Sequence, residues 1–176
     1  MTLLDPGPWD PAIHAGLEAA VVRFGLGGPD HDPDRPPIAA FDFDNTCIAG
    51  DIGEAVLREI GRFLGRDLVA DYIESVRRHG RRVGYELCAT LCGARTPADL
   101  EALTTRVLDR ELAAGRITYR PGMTDLVDAL HEHGWEVWVV SASQRHIVLP
   151  AAERLGIPRP RIVGMELAID PDTGWL

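Results

Sequence analysis

Residues 38–46, IAAFDFDNT, begin with four apolar residues and continue with Asp42, Asp44 and Thr46. The apolar residues form a continuous rather than an alternating run, which predicts a parallel strand buried on both faces. Two carboxylates at the end of such a strand do not stabilise it, because burying a charge without a partner costs free energy. Open α/β sheets bind ligands beyond the carboxyl ends of their strands. The segment therefore predicts an α/β fold and a site for a metal, a substrate or both.

Composition limits the class of protein. The chain has 176 residues, which suits one domain or one domain with a modest insertion. Its net charge of -9 argues against a nucleic-acid partner, because binding to a phosphate backbone needs a basic surface. No apolar run reaches the length of a membrane helix, and no signal peptide is visible. The three cysteines form no disulfide framework, so we expect a cytoplasmic location.

The hydrophobic patterns predict a core that is interrupted by helices. Residues 1–37 contain an N-terminal helix, Asp10–Phe24, followed by a lead-in rich in proline and glycine. Residues 52–117 have helical periodicity and no strand signal. Within them, Thr96 as the N-cap and Pro97 as the first helical residue predict the start of a helix. We therefore expect an all-helical cap at 52–117, inserted after the first strand, and a core made of residues 38–51 and 118–176.

The second half of the core repeats the pattern of a helix followed by a strand. A helix is predicted from Pro121, a strand at Trp135–Val140 and a third strand at Arg161–Asp170. Between these two strands we expect a helix that Pro150 begins or kinks, because an internal proline removes a helical hydrogen bond. The first two strands then both end in oxygen-bearing side chains.

If these two strands are parallel neighbours, Asp42, Asp44 and Thr46 converge with Ser141 and Ser143 on one crevice. A carboxylate such as Asp42 can attack phosphorus and form an aspartyl-phosphate. Asp44 can act as the general acid and then as the general base. A divalent cation must shield the approach of two anions, and Mg²⁺ suits carboxylate and phosphate oxygens. Ser141 either binds the phosphoryl oxygens or caps the following helix.

The paired motifs DFDNT at 42–46 and VVSAS at 139–143 resemble motifs I and II of the haloacid dehalogenase-like (HAD) hydrolases. The helical block resembles the C1 cap of the branch that contains phosphoserine phosphatase and phosphocholine-type phosphatases. The resemblance implies a three-layer, Rossmann-like core of parallel strands between helices. It also implies that Asp42 is the nucleophile and a magnesium ligand, that Asp44 is the acid/base and a second, main-chain ligand, and that Ser141 binds phosphate. Thr46 would be a supporting residue of motif I.

The sequence departs from the family pattern after Ser143. The family also uses a motif III lysine or arginine and a motif IV acidic pair, but this chain contains no lysine and shows no G-D-x-x-x-D segment. Asp170 and Asp172 belong to the turn signal DPDTG. Arg145 either approaches the phosphate from the motif II loop or has a surface role. We therefore expect a core that is incomplete at its C-terminus.

The sequence indicates less about the substrate than about the catalytic residues. Asp51 and Glu54 lie where an acidic residue of phosphoserine phosphatase-like proteins meets the substrate amine, yet both also suit the first turn of a helix. The cluster of arginines at 77–82 either attracts an anionic substrate or forms a solvated helix end. The candidate substrate-binding residues are Thr46, Ser141, Ser143, Asp51 and Arg145.

The sequence thus predicts a magnesium-dependent hydrolase of a small phosphorylated metabolite, either with or without an amine. The alternative is a truncated or inactive domain of the same fold, which binds phosphate or a partner without turnover. A phospho-accepting receiver domain also uses an aspartate at a strand end. The missing lysine and the large helical block argue against it.

Overall fold

The computed structural model describes residues 3–176, which form helices around two small sheets. The helices are α1 (Pro11–Phe24), α2 (Ile52–Leu64), α3 (Leu68–His79), α4 (Arg81–Leu91), α5 (Pro97–Ala113), α6 (Pro121–Glu132) and α7 (Arg145–Ala152). The strands are β1 (Ile38–Phe41), β2 (Ile48–Ala49), β3 (Thr118–Tyr119), β4 (Glu136–Gln144) and β5 (Ile162–Met165). Among residues 3–176, no helix is both long and hydrophobic enough to cross a lipid bilayer.

The central sheet is parallel and has the strand order β1-β4-β5. Phe41 pairs with Val139 of β4, and Val139 pairs with Ile162 of β5. Helix α6 joins β1 to β4, and α7 joins β4 to β5. Both crossovers move in the same direction across the sheet, and such crossovers are right-handed. Helices α6 and α7 therefore lie on the same face of the sheet. The predicted α/β class and parallel sheet are confirmed. Since β1 and β4 are adjacent, their carboxyl ends lie side by side.

The two faces of this sheet differ in exposure. Val137, Val139 and Ile162 are at most 1% exposed. On the opposite face Ile38 is 62% exposed and Val140 is 52% exposed. The prediction that β1 is buried on both faces is therefore wrong, because β1 is an edge strand and its second face has no covering element among residues 3–176.

Helices α2 to α5 form one helical segment, which lies in the chain between β2 and β3. Strands β2 and β3 form an antiparallel ribbon, in which Ile48 pairs with Tyr119 and Ala49 pairs with Thr118. The ribbon joins the two ends of the helical segment, although strands of two residues have no periodicity that a sequence could reveal. Helix α5 packs against α2 and α7, which connects the segment to the core.

The ends of several elements follow local chemistry. Thr96 caps α5 as predicted, because its hydroxyl accepts a hydrogen bond from the Asp99 N–H at 3.1 Å. Strand β4 was predicted to end at Val140, but it continues to Gln144, and α7 begins at Arg145. Pro150 therefore lies inside α7 rather than at its start. Strand β5 ends at Met165, well before the predicted Asp170.

The C-terminal part of α5 carries a buried glutamate, Glu111, that pairs with two more exposed arginines. The Glu111 carboxylate accepts hydrogen bonds from Arg116 at 2.6 and 3.0 Å and from Arg110 at 3.2 Å. These arginines, Arg116 first, lower the pKa of Glu111 to about 2. One turn earlier, Leu108 is fully buried in the hydrophobic core. The Glu111 pair and the buried Leu108 together stabilise the end of α5 and its connection to β3.

Candidate active site

The residues after β1 form a single loose helical turn, Phe43–Cys47. Asn45 adopts a left-handed conformation with φ 61°, which asparagine tolerates better than most residues. Its N–H donates to the Gly50 carbonyl at 3.0 Å. The turn also buries Phe43 and Cys47 completely. Asp42 therefore stays exposed at the end of β1, while Asp44 lies deeper in the structure.

The Asp42 carboxylate is held lightly. Its Oδ2 atom accepts a hydrogen bond from the Thr46 hydroxyl at 3.3 Å. Asp42 is exposed and lines a cavity at the carboxyl end of the sheet. An exposed carboxylate with one weak internal partner is free to approach a ligand.

The Asp44 carboxyl is bound on both oxygens. Oδ1 accepts from the Ile52 N–H at 2.8 Å, and Oδ2 accepts from the Ser143 hydroxyl at 2.7 Å. Burial and then the negative charge of Asp51 raise the pKa of Asp44, whereas the two hydrogen bonds oppose the rise, and the net result is a pKa of about 7. A carboxyl that titrates near neutrality is suited to proton transfer.

Ser141 and Ser143 lie in the last part of β4. The Ser141 hydroxyl accepts from the Ser143 N–H at 3.1 Å. The residue that precedes α7 is Gln144, and its side chain makes no capping hydrogen bond. Ser141 is therefore not the helix cap that the sequence offered as an alternative. The contact between Ser143 and Asp44 joins the ends of β4 and β1.

A cavity of about 250 Å³ covers these groups. The core contributes Asp42, Asp44 and the serines, and the helical segment contributes the opposite wall. That wall consists of residues from α2, its cap, α3 and α4: Asp51, Gly53, Glu54, Tyr72, Tyr85 and Cys88. Asp51 also caps α2, since one of its oxygens accepts from the Glu54 N–H at 2.8 Å. Asp51 thus has the helix-start position that one of its two interpretations predicted, and it also lines the cavity.

The structure does not bring Arg145 into this cavity. Its guanidinium donates to the Ile162 carbonyl at 2.9 Å and to the Arg159 carbonyl at 3.1 Å. The side chain lines a separate surface depression together with residues of β5. The arginines of α3 are exposed and pair with Glu74, as expected of a solvated helix end.

Several cavity residues were not predicted from the sequence. A Cβ at Gly53 would lie 3.2 Å from Asp51 Oδ1 and 3.2 Å from the Ser143 hydroxyl, so glycine here lets α2 approach β4 without displacing either side chain. For Tyr72 and Tyr85, the sequence indicated only that each lies in a helix with a partly apolar face. The helical spacing of α3 and α4 showed which residues share a face, but not which of them reach the core.

A cleft of about 670 Å³ adjoins the cavity and shares Asn45, Asp51 and Glu54 with it. The cleft also contains arginines, and each of them has a glutamate partner. Arg58 pairs with Glu54 at 3.2 Å, and the others pair with glutamates of α2 and α5. Positive charge near the site is therefore located beside the cavity rather than within it.

Comparison with solved structures supports the fold. A conserved functionally unknown protein from Anaerococcus prevotii DSM 20548 matches over 100% of this chain and 73% of its own, with 16% identity and a TM-score of 0.75. A Bordetella pertussis Tohama I protein of unknown function matches over 80% of this chain and 66% of its own, with 20% identity and a TM-score of 0.62.

A phosphoserine phosphohydrolase-like protein from Francisella tularensis subsp. tularensis SCHU S4 matches with 22% identity and a TM-score of 0.55. The match covers 81% of this chain and 63% of that protein. The chain therefore spans between 63% and 73% of the length of these three structures. At such identities the likeness concerns the fold.

No curated protein matches the sequence. The family model of the haloacid dehalogenase-like hydrolases, in contrast, matches residues 39–175, which include both strand ends of the site and the helical segment between them. The paired carboxylates after β1 and the serines that end β4 lie within this match. The chain belongs to the haloacid dehalogenase-like hydrolases.

Proposed function

We propose that this protein hydrolyses small phosphomonoesters through an aspartyl-phosphate on Asp42. The observation that carries the proposal is the hydrogen bond of 2.7 Å between Ser143 and Asp44. It unites the ends of β1 and β4 beside the exposed Asp42 carboxylate, in a cavity that admits a small molecule. The site thus combines a nucleophile, an acid/base and hydroxyl groups for the phosphate.

The reaction has two steps. An Asp42 oxygen attacks phosphorus, the bond from phosphorus to the ester oxygen breaks, and Asp44 gives its proton to the leaving alcohol. Asp44 then takes a proton from water, which attacks phosphorus and releases inorganic phosphate from Asp42. The raised pKa of Asp44, about 7, allows both protonation states near neutral pH. The Ser141 hydroxyl binds a phosphoryl oxygen, and Thr46 orients Asp42.

The donor atoms suit Mg²⁺. This ion is held in proteins by one or two oxygen ligands together with substrate phosphate and water. The Asp42 carboxylate and the Asp44 main-chain carbonyl would hold it, since both Asp44 carboxyl oxygens already accept hydrogen bonds. Within residues 3–176 no cluster of three or more His, Cys, Asp or Glu side chains forms a metal site, so phosphate and water complete the ligand set. When bound, the ion shields the negative charges of nucleophile and phosphate from each other.

The test is hydrolysis of p-nitrophenyl phosphate at increasing Mg²⁺ concentration. We expect turnover that requires Mg²⁺ and that Asp42→Asn abolishes, because an amide is a far weaker nucleophile than a carboxylate. Asp128→Asn makes the same change on the exposed face of α6, outside the cavity, and serves as the matched control.

The competing function is phosphate binding without turnover. The part of the chain that the structure describes has no cluster of three or more metal-binding side chains, and this observation favours phosphate binding alone. Saturable phosphate binding with no Mg²⁺-dependent product would replace the hydrolase proposal with this one.

The free thiols of Cys47, Cys88 and Cys92 agree with the proposal of a reducing, cytoplasmic setting.

A further inference from the structure

The cavity carries more negative charge than the reaction uses. Four carboxylates line it, from Asp42, Asp44, Asp51 and Glu54, and among the described residues its lining includes no arginine, lysine or histidine. Asp42 and Asp44 have roles in phosphoryl transfer. Asp51 and Glu54 have none, although both face a space into which an anionic phosphate must come. A substrate that balances these two charges must bring positive charge of its own.

The structural roles of these two acids leave them available to a ligand. Asp51 uses one oxygen to cap α2. Burial raises the pKa of Asp51, which shows that its charge lacks the solvation of a surface carboxylate. Glu54 pairs with Arg58 at 3.2 Å, but the Arg58 side chain is 49% exposed, so its charge is shared with solvent.

Two aromatic rings stand beside these acids. Tyr72 of α3 and Tyr85 of α4 stack with ring centroids 6.4 Å apart and an interplanar angle of 23°. Both line the cavity. Burial raises the pKa of Tyr72 to about 12, and the nearby charges of Asp51 and Glu54 contribute to the rise. Aromatic faces next to carboxylates are the usual receptor for an ammonium group, including a methylated one.

We infer that the site selects phosphomonoesters whose alcohol carries an ammonium group and no carboxylate, with Tyr72, Tyr85, Asp51 and Glu54 binding the ammonium. This inference rests on the proposed function. It excludes the phosphorylated amino acids, because their carboxylate would enter a cavity whose described lining residues include four acids and no arginine, lysine or histidine. The nearest arginine, Arg58, lines the adjoining cleft and is already paired with Glu54.

The experiment compares phosphocholine with its neutral isostere, in which carbon replaces the ammonium nitrogen, and with phosphoserine. We expect kcat/KM for phosphocholine to exceed that for the isostere by about tenfold or more, and phosphoserine to be the poorest of the three. Equal values for phosphocholine and its isostere would overturn the inference. So would a preference for phosphoserine.

A binding measurement separates this inference from the proposed function. Dissociation constants of phosphocholine and of the isostere are measured by calorimetry on Asp42→Asn in the presence of Mg²⁺. A preference of about tenfold for phosphocholine supports the ammonium site even if the wild-type protein hydrolyses no phosphomonoester. Equal affinities overturn the ammonium site even if p-nitrophenyl phosphate is hydrolysed.

Substitutions at Tyr85 identify the source of the preference. Tyr85→Leu removes the ring, and we expect the ratio of phosphocholine to isostere affinity to fall about tenfold. Tyr85→Phe keeps the ring and should keep the ratio within about twofold. A ratio that is the same in both variants and the wild type would contradict a cation–π contact. Because the quantity is a ratio of two ligands on one variant, a general loss of folded protein does not change it.

Discussion

Ser143→Ala is expected to impair catalysis by releasing Asp44. The Ser143 hydroxyl donates to Asp44 Oδ2 at 2.7 Å, and among residues 3–176 the other hydrogen bond to this carboxyl comes from the Ile52 N–H. Hydrogen bonds to charged groups contribute about 1.5–3 kcal/mol, and alanine leaves the buried oxygen without its partner. The loss affects the position of Asp44 in both reaction steps.

The magnitude follows from the barrier. If most of this free energy is lost in the transition state, kcat/KM falls about 10- to 100-fold, because about 1.4 kcal/mol corresponds to a factor of ten. The assay is initial-rate hydrolysis of p-nitrophenyl phosphate with saturating Mg²⁺. Unfolding in urea, followed by circular dichroism, measures how much of the loss is a loss of folded protein.

Ser75→Ala is the matched control, since it makes the same change on α3 outside the cavity. We expect the kcat/KM of this variant to stay within about twofold of the wild-type value, as for most substitutions away from a site. A Ser143→Ala protein that is folded and also hydrolyses the substrate at the wild-type rate would refute the role given to the contact between β1 and β4.

Three further predictions concern packing and charge. Gly53→Ala places a Cβ 3.2 Å from the Ser143 hydroxyl and should lower kcat/KM about tenfold in a folded protein. The control is Gly16→Ala, whose new Cβ has no atom within 4 Å and which should leave kcat/KM unchanged. Equal rates for the two variants would refute this packing. Glu111 has a pKa lowered to about 2, so its ion pair stabilises the fold above pH 4.5 and loses its effect as the pH falls toward 2. Its arginine partners are 40% and 58% exposed, so solvent weakens the ion pair. We therefore expect Glu111→Gln to lower the free energy of unfolding, measured in urea, by about 1–2 kcal/mol at pH 7 and by nearly nothing near pH 2. A loss of stability that does not depend on pH would contradict its assignment to the ion pair. Leu108→Ala should lower the free energy of unfolding by about 2–5 kcal/mol, because Leu108 is fully buried, and a change below about 0.5 kcal/mol would show that it does not belong to the core.

Local patterns in the sequence predicted the catalytic half of the site. The apolar run before Asp42 and the one before Ser141 both formed strands, and parallel pairing brought their polar ends together. Short-range chemistry also predicted the start of α5, where Thr96 and Pro97 have the expected positions. These features depend on residues that are close in the chain or on the general rules of parallel sheets.

The substrate wall could not be predicted in the same way. Tyr72 and Tyr85 reach the cavity because α3 and α4 pack against each other and α4 contacts β4, and helical periodicity does not encode that packing. Arg145 was a candidate to approach the phosphate because it follows Ser143 closely, with a surface role as the alternative. Continuation of β4 to Gln144 instead places Arg145 at the start of α7, where its guanidinium binds main-chain carbonyls.

Exposure of the sheet was also beyond the sequence pattern. A short run such as Ile38–Phe41 has the same composition whether one or both of its faces are covered. Burial of Val139 against α7 and exposure of Val140 depend on where other elements lie. The apolar run therefore predicted the strand correctly but gave the wrong burial.

The covalent intermediate provides the most direct test of the account. The protein is mixed with p-nitrophenyl phosphate and Mg²⁺, quenched rapidly in acid, digested and analysed by mass spectrometry. We predict one added phosphoryl group on the peptide that contains residues 38–46, located at Asp42, removed by hydroxylamine and absent from Asp42→Asn. Product formation without a phosphorylated peptide, or a phosphoryl group on another residue, would contradict the assignment of Asp42 as the nucleophile.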